Sequence, residues 1–190
     1  MAIVPKASGF APQHVANTLW AYAKVDHASP ALFDALGRGA MPRLGDFSVQ
    51  LIANLAWALS KQPPPCSDDI FDGIAEAVTL RGSLESFPSQ GLAMLALSFA
   101  TVGHVANADF WDSVERAATP RAPELHPLEC SQIAWSFGTV GRPVDDLFRG
   151  IESTVMLKLN HIKPRGLSNI AWAFSTLGYD SPALFGAVAQ

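Results

Sequence analysis

One helix-like phrase is written five times along this chain, and that repetition limits the available folds more than any other feature. The copies are NTLWAYAKV from Asn17, NLAWALSKQ from Asn54, MLALSFATV from Met94, QIAWSFGTV from Gln132 and NIAWAFSTL from Asn169. With Trp20 as the reference, the equivalent positions are Trp57, Leu97, Trp135 and Trp172, at separations of 37, 40, 38 and 37 residues. An apolar anchor stands ten residues before each reference, at Phe10, Phe47, Phe87, Leu125 and Ile162. A second lies 13 or 14 residues after it, at Phe33, Phe71, Phe110 with Trp111, Phe148 and Phe185. A period near 38 residues marks a stacked array of supersecondary units.

Within each copy the apolar positions fall five and two before the reference and two and five after it. In the first copy these are Val15, Thr18, Tyr22 and Val25, and in the second Ile52, Leu55, Leu59 and Gln62. At 100° per residue they share one helical face. Pro12, Pro127 and Pro164 open three of the segments, where a missing N–H costs nothing. Gly103, Gly141 and Gly178 close the last three. A second helix is expected after Ser29-Pro30, the CSDD run at Cys66 to Asp69, Asn107 or Asp109, Asp145, and Ser181-Pro182, residues that cap free N–H groups. Loops such as GRGAMPRLGD then join the copies.

The expectation is therefore an all-α chain, one α-solenoid over 1–190 with five helix-turn-helix repeats at 10–46, 47–86, 87–124, 125–161 and 162–190. Small residues four and one before the reference, from Ala53 and Ala56 to Ser168 and Ala171, would let successive first helices approach closely; Leu19 is the exception. Hydrophobic residues make up 49% and charged residues 16%, which supplies a core and argues against disorder. The longest uncharged stretch has a 13-residue apolar heart, GLAMLALSFATVG, too short to span a bilayer, so no membrane insertion is expected. No leader is visible, and the sequence stops within the second helix of the fifth repeat, so the chain reads as a fragment or as capped by a partner.

The other face of the first helix carries a polar stripe, at seven and three before the reference and four after it. It holds Gln13, Asn17 and Lys24; Gln50, Asn54 and Lys61; Gln90 and Thr101; Gln132 and Thr139; Arg165, Asn169 and Thr176. An amide, a ring and a donor repeated per helix pair is the arrangement by which helical repeats read unstacked bases of single-stranded RNA. The Trp column itself is read as inter-repeat core, since Trp is mostly buried. The Asn column serves equally as a buried hydrogen-bonded ladder or as ligand-facing amides. Gln13, Gln50, Gln90 and Arg165, with Lys24 and Lys61, are the better candidates for contact with a ligand. Charge is segregated: the first-helix segments, with Lys24, Lys61, Lys163 and Arg165 against Glu129, carry +3, and the rest of the chain carries −7.

The runs FAPQHVANTLWAYAKV, FSVQLIANLAWALSKQPPP and IKPRGLSNIAWAFSTLGY resemble the octotricopeptide repeat of algal organelle proteins, and are similar to the repeats that precede RAP domains in FAST-kinase-like proteins. Of the algal signature Pro-Pro-Pro-Glu-Trp, Pro63-Pro64-Pro65 remains. The resemblance implies a mitochondrial or chloroplast protein that binds RNA in processing, stability or translation. The alternative is a protein-binding scaffold, a structural subunit of an organellar complex such as a ribosome.

No enzyme is expected. His14, His27, His104, His126 and His161 fall at unrelated repeat positions, and no HExxH, Gly-rich phosphate loop, GxSxG or CxxC occurs. The carboxylate pairs in DDIFD and VDDLF stand at helix starts, where capping explains them. No catalytic residue, metal site, cofactor or small-molecule substrate is assigned, and Cys66 and Cys130 alone provide no disulfide framework.

Overall fold

The computed structural model describes residues 9–62, 68–80, 84–105 and 107–189. The described residues form α-helices and 3₁₀ turns, with no strand. In chain order the helices are α1 (Pro12–Lys24), α2 (Pro30–Ala40), α3 (Val49–Ser60), α4 (Asp68–Leu80), α5 (Ser89–Thr101), α6 (Ala108–Ala118), α7 (Pro127–Val140), α8 (Asp145–Lys158), α9 (Pro164–Thr176) and α10 (Pro182–Val188).

Local chemistry accounts for most of these boundaries. Pro12, Pro127 and Pro164 are the first helical residues of α1, α7 and α9. The Asn107 side chain accepts from the Phe110 N–H at 2.9 Å, and Ser181 Oγ accepts from Leu184 N–H at 3.2 Å, so both act as N-caps. Cys66 and Ser67 of the expected α4 opener lie outside the described residues, as do Pro63, Pro64 and Pro65.

Gly103, Gly141 and Gly178 take φ near +70° just beyond α5, α7 and α9, a conformation that a Cβ disfavours. At the same register after α1, Asp26 adopts φ 53°, a closing residue that its side chain did not announce. The residue after each accepts the same role: the N–H groups of His27, His104, Arg142 and Tyr179 donate to the carbonyls of Tyr22, Phe99, Phe137 and Phe174. These six-to-one bonds close the helix carbonyls identically in four copies.

The odd-numbered helices pack in series, α1 on α3, α3 on α5, α5 on α7 and α7 on α9. Ala53, Ala56, Ala93, Ala96, Ser131 and Ala134 are buried, as the small-residue pattern requires. Gly138 in α7 lies so near α9 that an added Cβ would meet the Ala173 backbone at 3.0 Å. In the fifth copy Ser168 is exposed and Ala171 half-buried, because no further described helix lies on that side.

An aromatic core runs from α4 to α9, mostly between one copy and the next. Phe99 stacks on Phe110 at 3.9 Å and meets Phe71 of the preceding copy edge-on at 5.0 Å. Trp111 meets Phe137 at 5.6 Å, and Phe148 meets Phe174 at 5.1 Å. The ring two after the reference therefore bridges to the preceding copy's second helix, each buried ring contributing about 1.5–3 kcal/mol. Phe33, Phe71, Phe110, Trp111 and Phe148 are buried as expected, whereas Phe185 is 38% exposed. Val25 is also exposed, since α1 ends before it.

The joining segments differ from the expected loops. GRGAMPRLGD continues α2 through Ala40 and then forms a 3₁₀ segment, Met41–Asp46. Further 3₁₀ segments occur at Leu84–Ser86, Thr119–Glu124 and Leu159–His161. They wedge between second helices: α4 packs on Met41–Asp46, α6 on Leu84–Ser86 and α8 on Thr119–Glu124. Thr154 Oγ1 in α8 donates to the Ala122 carbonyl at 2.8 Å across such a contact. Pro42 and Pro120 favour the turn but remove a donor, which makes the tighter 3₁₀ ladder the way to continue.

Candidate functional site

The face of the odd helices opposite the aromatic core carries the polar stripe. Gln13, Asn17 and Lys24 on α1, Gln50 on α3, Lys61 just after it, Gln90 on α5 and Arg165 on α9 are exposed, while Asn54, Gln132 and Asn169 are half-buried. The Trp column lies at the edge of this face: Trp57 and Trp135 pack against the core as expected, whereas Trp20 and Trp172 are largely open to solvent. Trp20 is 42% and Trp172 44% exposed, and Trp57 and Trp135 are half-buried. The small residues between the helices leave the indoles at the edge of that contact: the Trp172 ring of α9 lies against Gly138 of α7, and Trp57 and Trp135 pack on the core with one side to solvent.

On α1 and α3 the stripe is organised within each helix. Gln13 Nε2 donates to Asn17 Oδ1 at 2.8 Å, and Gln50 Nε2 donates to Asn54 Oδ1 at 3.0 Å. The amides form surface pairs along one helix and no buried ladder between helices. Lys24 Nζ lies 5.9 Å from the Trp20 ring centroid, and Lys61 Nζ lies 5.6 Å from that of Trp57. The two indoles are 6.3 Å apart and tilted by 38°. Cation–π contact of this kind is worth about 0.5–1 kcal/mol at an exposed site and holds each ammonium against its ring.

A cleft of about 440 Å³ opens on the same face. Lys61, Gln132, Arg165 and Asn169 from the sequence-expected set line it, and Gln13, Asn17, Lys24, Gln50, Asn54 and Gln90 do not. Leu97, Leu128, Pro127 and Ile162 supply apolar surface, and His126, His161 and Lys163 add further polar groups. Among the described residues, no carboxylate lines the cleft. Glu129, the acid of the first-helix segments, is turned into the α7 cap: its Oε2 accepts from the His126 backbone N–H at 2.8 Å. The Leu128 N–H in turn donates to His126 Nδ1 at 3.3 Å, which leaves the other ring nitrogen as the proton carrier when the imidazole is neutral.

Sequence reasoning missed His126, His161 and Lys163 as site residues. A signal existed for two of them: His126 and Lys163 both stand nine residues before the reference, and they are the N-caps of α7 and α9. Only the packing of α7 beside α9 places them on one cleft.

Other basic side chains are committed to structure. Arg43 Nη2 donates to the Phe10 carbonyl at 2.7 Å, Arg121 Nη1 to the Phe87 carbonyl at 2.6 Å, and Lys158 Nζ to the Leu125 carbonyl at 2.8 Å. Each ties the end of a copy to its own first anchor. Arg142 pairs with Asp112, and Arg149 with Asp146 at 2.8 Å. Lys61, Lys163 and Arg165 make no ion pair among the described residues, so the cleft keeps their charge.

Among the described residues, no group of three or more His, Cys, Asp or Glu is placed to hold a metal ion, and no helix is long and apolar enough to cross a membrane. In comparison with known proteins, no family model matches the chain, and no curated protein matches it.

Proposed function

We propose that the chain is an α-solenoid of octotricopeptide-like repeats that binds single-stranded RNA through the outward face of its first helices. The serial packing of odd helices and the identical closure of four copies support the solenoid. The observation that carries the RNA reading is the cleft, where Lys61, Lys163 and Arg165 border an apolar floor with no carboxylate among its described lining residues. Phosphates attract unpaired Lys and Arg, and unstacked bases need apolar surface. The organellar setting implied by the repeat resemblance, in a mitochondrion or plastid, belongs to the same proposal, as does a role in RNA processing, stability or translation.

The test is binding of the chain to a random pool of single-stranded RNA, followed by anisotropy across a salt series. Saturable binding that weakens with salt, and weakens further in a Lys61→Ala, Arg165→Ala double variant, is expected. A folded helical sample that fails to bind at low salt overturns the reading.

The scaffold reading has one observation of its own. Leu80 and Leu157, near the ends of α4 and α8, are 77% and 85% exposed on the second-helix side. Leu157→Glu should abolish docking there without altering RNA affinity.

A further inference from the structure

We infer that the RNA strand crosses the first helices on a diagonal, from the C-terminal end of α3 to the N-terminal ends of α7 and α9, and that Leu97 is the floor over which it passes. The inference rests on the RNA reading above and specifies its route.

The lining of the cleft moves toward the helix N-terminus from the second copy to the fourth and keeps that register in the fifth. On the second copy it is Lys61, four after the reference, and on the third it is Leu97, the reference itself. On the fourth it is Gln132, Leu128 and His126, three, seven and nine before, and on the fifth Asn169, Arg165 and Lys163 at the same three positions. A ligand read by equal positions in every copy would instead run along one row. The row at seven before the reference offers Gln13 and Gln50, but each is already bonded to the Asn one turn on, and neither borders the cleft.

The third copy explains why the cleft is open at its centre. Where the other copies carry Trp, it carries Leu97, and where the other four carry Asn or Gln three residues earlier, it carries Met94. An indole at position 97 would fill the space that Leu97 leaves. Cations on the border and aliphatic carbon on the floor suit a chain whose phosphates and bases are both accessible, which is a single strand and not a duplex. Lys61 belongs to both the Trp57 ring and the cleft, so the strand enters beside that ring.

The two routes give opposite signs for one substitution. Leu97→Trp completes the Trp row, so a strand following equal registers would gain a stacking ring and bind more tightly. On the diagonal route the new indole blocks the cleft, and affinity for a short labelled oligouridylate should fall about tenfold, near the value of one lost stacked base. Lys163→Ala and Arg165→Ala, both exposed positions, should each lower affinity and reduce the salt slope by about one. Gln13→Ala and Gln50→Ala should leave affinity within about twofold. Tighter binding by Leu97→Trp, or equal losses at Gln13 and Gln50, overturns the diagonal while the RNA reading stands. No binding of the oligouridylate by the parent chain overturns both. Competition by polyglutamate as effective as by RNA overturns the nucleic-acid occupant in favour of an acidic protein.

Discussion

Arg121 reaches back 34 residues to donate through Nη1 to the carbonyl of Phe87 at 2.6 Å, while its other terminal nitrogen bonds the Glu85 carbonyl. Arg43 on Phe10 and Lys158 on Leu125 repeat the relationship. In each case a cation satisfies a carbonyl exposed where the chain turns into a first helix. The consequence is thermodynamic. Charge-assisted bonds to otherwise unpaired carbonyls contribute about 1.5–3 kcal/mol. Arg121→Met should lower the unfolding free energy from urea titration by that amount with RNA affinity unchanged; a value equal to the parent's would show that the clamp contributes nothing.

The two classes of Trp should separate cleanly. Trp111 is fully buried and donates through Nε1 to the His104 carbonyl at 3.3 Å. Trp111→Ala should cost about 3–5 kcal/mol. Trp20 stands on the surface, and Trp20→Ala should cost about 1 kcal/mol or less. Denaturant titration of both variants checks this, and comparable losses would contradict the outward placement of the Trp column.

Close helix approach predicts a steric limit at Gly138. A valine there must enter the space held by the Ala173 backbone and the Trp172 ring, each 3.0 Å from the position of a first added carbon. Gly138→Val should destabilise by about 1–3 kcal/mol. Gly186 in α10 has open space around it, and Gly186→Ala should be neutral or slightly stabilising, because alanine loses less backbone entropy in a helix. Thermal melts of the pair read the difference.

Burial pushes the Cys130 thiol up from an ordinary 9.0 to about 12, against the opposing effect of the Lys158 cation. Below pH 9 both folded and unfolded thiols are protonated and this stability is intact. Above it the unfolded thiol ionises first, so stability falls by about 1.4 kcal/mol per pH unit until about pH 12. Tyr179, raised to about 12 chiefly by burial and then by its bond to Asp145, adds a loss of the same sign only above pH 10. Between pH 9 and pH 10 the parent should therefore lose stability faster than Cys130→Ala in urea titrations. Cys130 should also resist thiol reagents until the chain unfolds; labelling located at Cys130 in the native parent by peptide mass spectrometry would contradict its burial.

The helices were legible in the sequence because their causes are local. Pro127 at the start of α7 and Gly141 at its end act on neighbouring backbone, and the apolar spacing of Ile52, Leu55 and Leu59 needs only the helical period to be read. The run Gly37 to Asp46 was misread as loop because glycine and proline punctuate equally well a loop and a helix that tightens into a 3₁₀ turn. What distinguishes them is α4 packing against that turn, a contact with the next copy.

Composition and period alone determined that the chain is helical, where its first helices begin, and which residues share the polar stripe. Tertiary structure decided the rest. Whether Trp20 faces water or a neighbouring helix depends on how α1 packs beside α3, which no single helix encodes. Likewise Lys61, Leu97, Gln132 and Arg165 border one cleft only because α3, α5, α7 and α9 pack in series, a relation between segments tens of residues apart.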